Sequence, residues 1–229
     1  WVDPCNNFLF ADVHGETGYQ CRGRVPVRST ANAWLPVPGW TGEHEWQGQI
    51  PFEDLPRSLN PEAGYIATAN NRPVGDDYPY YIAIDFAPDF RAKGVTEGLL
   101  SLERSAARDM PKVHSRRVSM PALAYLELLR RGEPRDEMSV RAREKLLAWS
   151  GSMDGGRVEP AIYSACRDEL LKEIFEHNLG AELAGEAWHP ANRGLASFAN
   201  SIKARLVTMI SDDDRSLLPA GEDWPSIMA

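Results

Sequence analysis

The sequence predicts an α+β fold: a strand- and loop-rich N-terminal part over residues 1–90, then a mostly helical region over 91–210 and an extended tail over 211–229. Three observations carry this expectation. Short runs of β-forming residues bounded by Gly, Pro, Asn and Asp fill the first part, which also holds most of the prolines. From Arg91 onward, apolar positions recur at three- and four-residue steps. The last stretch, with Asp212-Asp213-Asp214, Pro219 and Pro225, has no period, and no internal repeat is present.

In chain order, Asn7–Val13 and Gly18–Gly23 read as a hairpin around the turn His14-Gly15-Glu16-Thr17. That register sets Cys21 across from about Phe10. Cys5 then lies about five residues away, roughly 16 Å at ~3.3 Å per residue, too far for a disulfide. Three cysteines, Cys5, Cys21 and Cys166, leave one unpaired in any case, and free thiols are expected. A strand follows between Pro61 and Gly64 on one side and Pro73 and Gly75 on the other, running into the adjacent carboxamides Asn70 and Asn71. Asn71 should face away from Asn70, because strand side chains alternate.

A further extended segment, YPYYIAIDFAPDF, leads to the helices Ala92–Arg108, Met120–Arg131, Met138–Ser150, Glu159–Asn178 and Asn192–Ile210. Pro134, Gly151, Gly155, Gly180 and Pro190 punctuate them. Pro121 is acceptable in a first turn, where its N–H would have no intrahelical partner. Leu123, Leu126, Leu129, Tyr125 and Leu128 form the apolar stripe of that helix.

A formal charge of −8 and a pI near 5.2 argue against nucleic-acid binding, which needs clustered Lys and Arg. The basic residues of Arg104–Arg117 and Arg130–Arg143 alternate with acids and read as solvated helix faces. No window is apolar enough to cross a membrane, and WVDPCNNF is not a signal peptide. His44-Glu45 lacks a second histidine four residues after the first, and His14, His114, His177 and His189 are scattered. Trp149-Ser150-Gly151 lacks the glycine of a nucleophile elbow, and no Ser-x-x-Lys occurs. Trp34, Trp40 and Trp46 have the spacing of a carbohydrate-stacking surface, but tryptophans among turns more often bury their rings to pin loops.

Asn70 is the residue with chemistry to offer. As a side-chain N–H donor at a strand end it suits an oxyanion, a contact whose loss typically costs about 10²–10³ in rate. As a residue before Pro73-Val74-Gly75 it equally suits a turn closed on its own backbone.

GWTGEHEWQGQIPFEDLPRSLNP followed by GYIATANNRPVGDDYPYYI closely resembles the penicillin amidase (penicillin acylase) family of N-terminal-nucleophile hydrolases, with similarity running from about Phe8 to at least Phe175. The resemblance implies that the strand-rich part is a piece of the αββα sheet of N-terminal-nucleophile hydrolases, and that Asn70 supplies the side-chain half of an oxyanion hole. It also implies that Arg91 lies near the active site and helps order it, although a structural ion pair with Asp85 or Asp89 fits Arg91 equally well.

Such proteins are self-cleaving precursors whose large chain begins with a nucleophilic serine. This chain begins with Trp1 and is expected to be an internal segment of a large chain, inactive alone, whose parent cleaves linear amides of N-acyl compounds through an acyl-enzyme. The alternative is a non-catalytic binding or scaffold module derived from the family. A helical interaction domain would instead need an exposed apolar stripe on Glu159–Asn178.

The resemblance further implies a small-molecule amide substrate, the remaining precursor segments as partners, and a periplasmic or extracellular location. No cofactor is expected beyond a structural calcium in the full-length parent. The Ala33 carbonyl would be one ligand of that ion; the position of an acidic ligand in some relatives falls on Ile82, with Asp85 reached only by a register shift. Calcium binding by this segment alone is not expected, because a hard cation needs six or more oxygens.

Overall fold

The computed structural model describes residues 4–188 and 193–228. The chain divides into two compact units, residues up to Ser101 and from Leu102 onward, so the first helix belongs with the strand-rich part rather than with the helical one.

In the first unit, β1 (Asn6–Ala11), β2 (Thr17–Arg22) and β3 (Arg57–Leu59) form an antiparallel sheet in that order. The register differs from expectation: Cys21 stands opposite Asn7, not Phe10. The cause is Asp12, which starts the turn two residues early. Its carboxylate accepts the N–H groups of His14 at 2.8 Å and Glu16 at 2.9 Å, and Gly15 takes a φ of 90°.

Cys5 consequently lies beside Gly23, where a Cβ would meet its Sγ at 3.0 Å, and the expected wide separation from Cys21 does not hold. All three thiols are nevertheless free. Cys5 Sγ donates to the Arg24 carbonyl, and Cys21 is buried with Val25, Ile50 and Leu55, against which Tyr19, Val27, Tyr80 and Ile82 pack.

The expected strand over 64–69 is not a ladder strand. It has no paired neighbour among the described residues, and side chains take the backbone groups of Ala69 instead. The segment from Tyr78 to Phe90 is likewise unpaired; Tyr78 and Tyr80 tie it to the carbonyl and carboxylate of Asp54, each at 2.8 Å. Helix α1 (Ala31–Trp34) precedes β3, and α2 (Phe90–Leu100) closes the unit.

The expected helix Ala92–Arg108 therefore ends early. After Leu102 the chain opens, and Asp109 accepts the N–H of Ala106 at 2.9 Å to start a 3-10 turn (Ala107–Asp109) and α3 (Met110–His114).

The second unit is helical: α4 (Met120–Arg131), α5 (Glu137–Leu147), α6 (Glu159–Trp188), α7 (Arg193–Asp212) and α8 (Trp224–Ile227). Ser119 caps α4 by accepting the Ala122 N–H at 3.3 Å, and Tyr125, Leu126, Leu128 and Leu129 are buried as expected, whereas Leu123 is exposed. Gly180, at φ 77°, breaks α6 where punctuation was expected. His189, Pro190 and Asn192 lie outside the described residues.

Tyr163, Leu170, Leu171, Ile174 and Phe175 of α6 are buried, which removes the exposed stripe that an interaction helix would need. The expected extended tail is a correction. Leu218, Trp224 and Ile227 are buried, and α8 packs on α4, because tertiary burial organises a stretch that has no period of its own.

Candidate functional site

Asn70 stands where the 65–69 segment turns. Its φ is 63°, a left-handed conformation that asparagine tolerates better than most side-chain-bearing residues. The Asn70 carbonyl accepts from Ala87 N at 2.9 Å. Arg91 Nη2 donates to Asn70 Oδ1 at 3.0 Å and to the Ala69 carbonyl at 2.7 Å.

A guanidinium carries donors only, so the carboxamide atom facing it is the oxygen, and the NH2 occupies the other branch. That NH2 is on an exposed side chain and meets no partner among the described residues. Polarisation of the carboxamide by the cation on its oxygen strengthens its N–H groups as donors.

The two carboxamides divide the readings considered for Asn70 alone. Asn71 closes the local turn, its Oδ1 accepting from Ala69 N at 3.0 Å, and it is half-buried. They diverge because the backbone turns at Asn70, not because of strand alternation. Arg72 then pairs with Asp76 at 2.6 Å and donates to the Gly75 carbonyl, closing the next loop.

Upstream, Tyr19 Oη donates to Asn7 Oδ1 at 2.7 Å, and Asn7 Nδ2 donates to Thr68 Oγ1 at 3.1 Å, fastening the segment to the sheet. Burial, then the neighbouring Cys21 and Tyr78, push the Tyr19 phenol up to about 12. The sequence reading singled out none of Asn7, Tyr19, Thr68 or Ala87; these contacts join residues far apart in the chain, and no motif marks them.

Arg91 is the second residue of α2, where a cation opposes the helix dipole. Its position makes sense through its contacts with Ala69 and Asn70. The alternative ion pair is not formed among the described residues: Asp89 pairs with Lys93 at 2.8 Å, and Asp85 is exposed.

Ala33 lies in α1. Ile82 offers no side-chain oxygen, and its carbonyl already accepts from Arg28 Nη2 at 3.3 Å. Among the described residues no three His, Cys, Asp or Glu gather as a metal centre. A calcium ion using the Ala33 carbonyl would take its other oxygens from outside these residues.

The loop tryptophans are also a correction. Trp40 is 89% and Trp46 63% exposed, so neither pins its loop by burying its ring. No helix among the described residues is long and apolar enough to cross a membrane.

The sequence profile of penicillin amidase matches residues 1–226. The chain belongs to the penicillin amidase family. Among relatives, the penicillin acylase 2 proenzyme of Pseudomonas sp. (strain SE83) is 41% identical over 229 residues, covering 98% of this chain and 29% of that protein. An acyl-homoserine lactone acylase QuiP of Pseudomonas fluorescens is 28% identical over 97% of this chain and 29% of its own length. Penicillin G acylase of Escherichia coli is 47% identical over a shorter stretch of 74 residues.

The fold is shared with the thermostable penicillin G acylase of Alcaligenes faecalis, at a TM-score of 0.59 and 23% identity over 78% of this chain and 34% of that one. This penicillin amidase segment thus spans about 29% of the first of these curated relatives.

Proposed function

We propose that the protein containing this segment hydrolyses linear amide bonds of small N-acyl compounds, and that the segment contributes Asn70 Nδ2 as an oxyanion donor positioned by Arg91. The observation that supports this reading is the exposed Asn70 NH2, whose sister oxygen is held by a cation at 3.0 Å.

In the proposed reaction a serine hydroxyl from outside these residues attacks the amide carbon. The serine's own α-amino group, with an ordinary pKa near 7.7–8.0, takes the hydroxyl proton. As the C–O bond forms, the carbonyl π pair moves onto oxygen, and Asn70 Nδ2 donates to that oxyanion. Collapse expels the amine, which recovers the proton, and water then cleaves the acyl-serine ester.

The substrate class is an acylated β-lactam, an acyl-homoserine lactone or another N-acyl amine. The relatives whose names carry penicillin or acyl-homoserine lactone acylase activity support that range. The remaining parts of the precursor are the partners, and the location is periplasmic or extracellular.

The test is to express the full-length protein and measure amine release from N-acyl compounds that share one amine and differ in acyl group, with mass spectrometry of acid-quenched enzyme. Release of amine and a serine-bound acyl adduct are expected. No release from any member by fully processed protein would leave the scaffold-module alternative instead.

A further inference from the structure

We propose that a cavity at the joint of α4 and α5 binds a small zwitterion, an α-amino acid with an apolar side chain. The site lies wholly within the second unit and is independent of the proposed amidase reaction.

The cavity measures ≈ 290 Å³, near the lower bound of ordinary small-ligand pockets. Its wall is apolar, built by Leu129 of α4, Ala142 and Leu146 of α5, and the two methionines Met138 and Met228. Leu146 is buried whereas Met138 is 79% exposed, so the space runs from the helical core out to solvent.

Two charged side chains line the same space, Asp136 and Arg143. With Ser139 and Leu146 they recur at three- and four-residue steps, which places them on one face of α5. Arg143 donates through Nε to the Leu129 carbonyl at 2.6 Å and through Nη2 to the Arg130 carbonyl at 3.2 Å. Both acceptors are neutral, and Nη1 takes part in neither bond. Asp136 Oδ1 accepts the N–H of Ser139 at 2.7 Å and its hydroxyl at 2.9 Å, again without a countercharge. Neither side chain has an ion-pair partner among the described residues, and the two do not pair with each other.

A cation and an anion that share an apolar cavity and stay apart are complementary to a ligand that carries both charges itself. The seven residues from Asp136 to Arg143 rise about 10 Å at 1.5 Å each, and a helical side chain leans back toward the N-terminus, which brings the guanidinium closer to Asp136. An ammonium and a carboxylate on one carbon, each making a charge-assisted contact of ~2.8 Å, bridge roughly 8–9 Å. The carboxylate then meets Arg143, the ammonium meets Asp136, and the side chain turns toward Leu129 and Leu146. A fatty acid would set its charge against Asp136, and a simple amine would set its own against Arg143.

Met138 and Met228 line the site and report on it directly. In methionine-methyl NMR of the full-length protein, L-phenylalanine should move both signals saturably. Phenylacetate and 2-phenylethylamine each keep one charge and should bind about 10–100-fold more weakly, the loss of one charge-assisted hydrogen bond. Asp136→Asn keeps the cap on α5 and should weaken phenylalanine by about the same factor without weakening phenylacetate. Ala142→Leu fills the cavity from its wall and should abolish both shifts.

No saturable movement of Met138 and Met228 at millimolar phenylalanine overturns the proposal. Phenylacetate binding as tightly as phenylalanine also overturns it, since the cavity would then be indifferent to the ammonium. Shifts that persist in folded Ala142→Leu do the same, because the ligand would sit elsewhere.

Discussion

Arg91 reaches back 21 residues to Asn70 and fixes which end of its carboxamide faces outward, with Oδ1 held at 3.0 Å and the NH2 left to donate. Asn70→Asp is the sharpest test of that donor. Aspartate keeps nearly the same shape, tolerates the φ of 63° and can still accept from Arg91, but it replaces the two N–H donors with an oxygen. In the full-length protein kcat should fall by about 10²–10³ with little change in melting temperature or in precursor processing. Asn70→Ala should lower kcat similarly while adding the cost of a left-handed alanine, about 1 kcal/mol or more. Unchanged turnover in Asn70→Asp removes the assigned role.

Arg91 acts through Asn70 and so serves as a positioning residue. Loss of a charge-assisted hydrogen bond is worth about 1.5–3 kcal/mol, so Arg91→Leu should lower kcat roughly 10–100-fold with KM nearly unchanged. Arg91→Lys should recover part of this, since one ammonium can reach a carbonyl without the planar fork. In an Asn70→Asp background, Arg91→Leu should change kcat by no more than about threefold, because residues acting as a unit are non-additive. Full additivity would mean that Arg91 works independently of Asn70.

The legible parts of the molecule are those whose signals are local. Helix α4 spans the expected Met120–Arg131, since its apolar period and its first-turn proline, Pro121, are signals that act within a few residues. Asn70 was legible as a residue, but its support was not. A strand was expected to carry it, whereas a turn gripped by Arg91 and the Ala87 N–H does so. The hairpin register failed at one residue, Asp12, whose carboxylate competes with the ladder for two N–H groups.

The tail failed for the opposite reason. Its helix has four residues and no period, and Trp224 is buried solely through packing against other elements.

That packing is itself testable. Trp224 is fully buried in the second unit, and Gly132 at the end of α4 lies so close to Pro225 that a Cβ would meet its carbonyl oxygen at 2.8 Å. Trp224→Ala should destabilise the protein by about 3–5 kcal/mol through cavity formation. Gly132→Ala should cost about 1–3 kcal/mol through overpacking against backbone that cannot turn aside. Denaturant unfolding of both variants checks the pair. Losses below about 0.5 kcal/mol in both would mean that the tail is not part of the helical core.

Stability should fall at both ends of the pH scale, for different residues. The carboxylates of Asp136 and Asp223 accept the backbone N–H and then the hydroxyl of Ser139 and Ser226, which holds them below their ordinary value of 3.8. Below that value the unfolded chain binds more protons than the folded one. Their contribution is therefore complete above pH 3.8 and is lost as pH drops through the lower folded value.

Tyr19 has the reverse sign. Its folded phenol, near 12 against an ordinary 10.0, holds its proton more tightly than the unfolded one, so its contribution is complete below pH 10.0 and lost on the way to about 12. Unfolding midpoints measured from pH 3 to 12 should be flat in the middle and decline at both limits. Asp136→Asn and Asp223→Asn together preserve the caps without the titration, and should make only the acid limb shallower, since Glu159, Asp213 and Asp214 are also held low. Tyr19→Phe should make only the alkaline limb shallower without abolishing it, because burial also raises Tyr125, Tyr163, Cys21 and Cys166, and it should come at some cost to the midpoint from losing the Asn7 bond. An acid limb unchanged in the Asn variants would assign acid unfolding to other carboxylates.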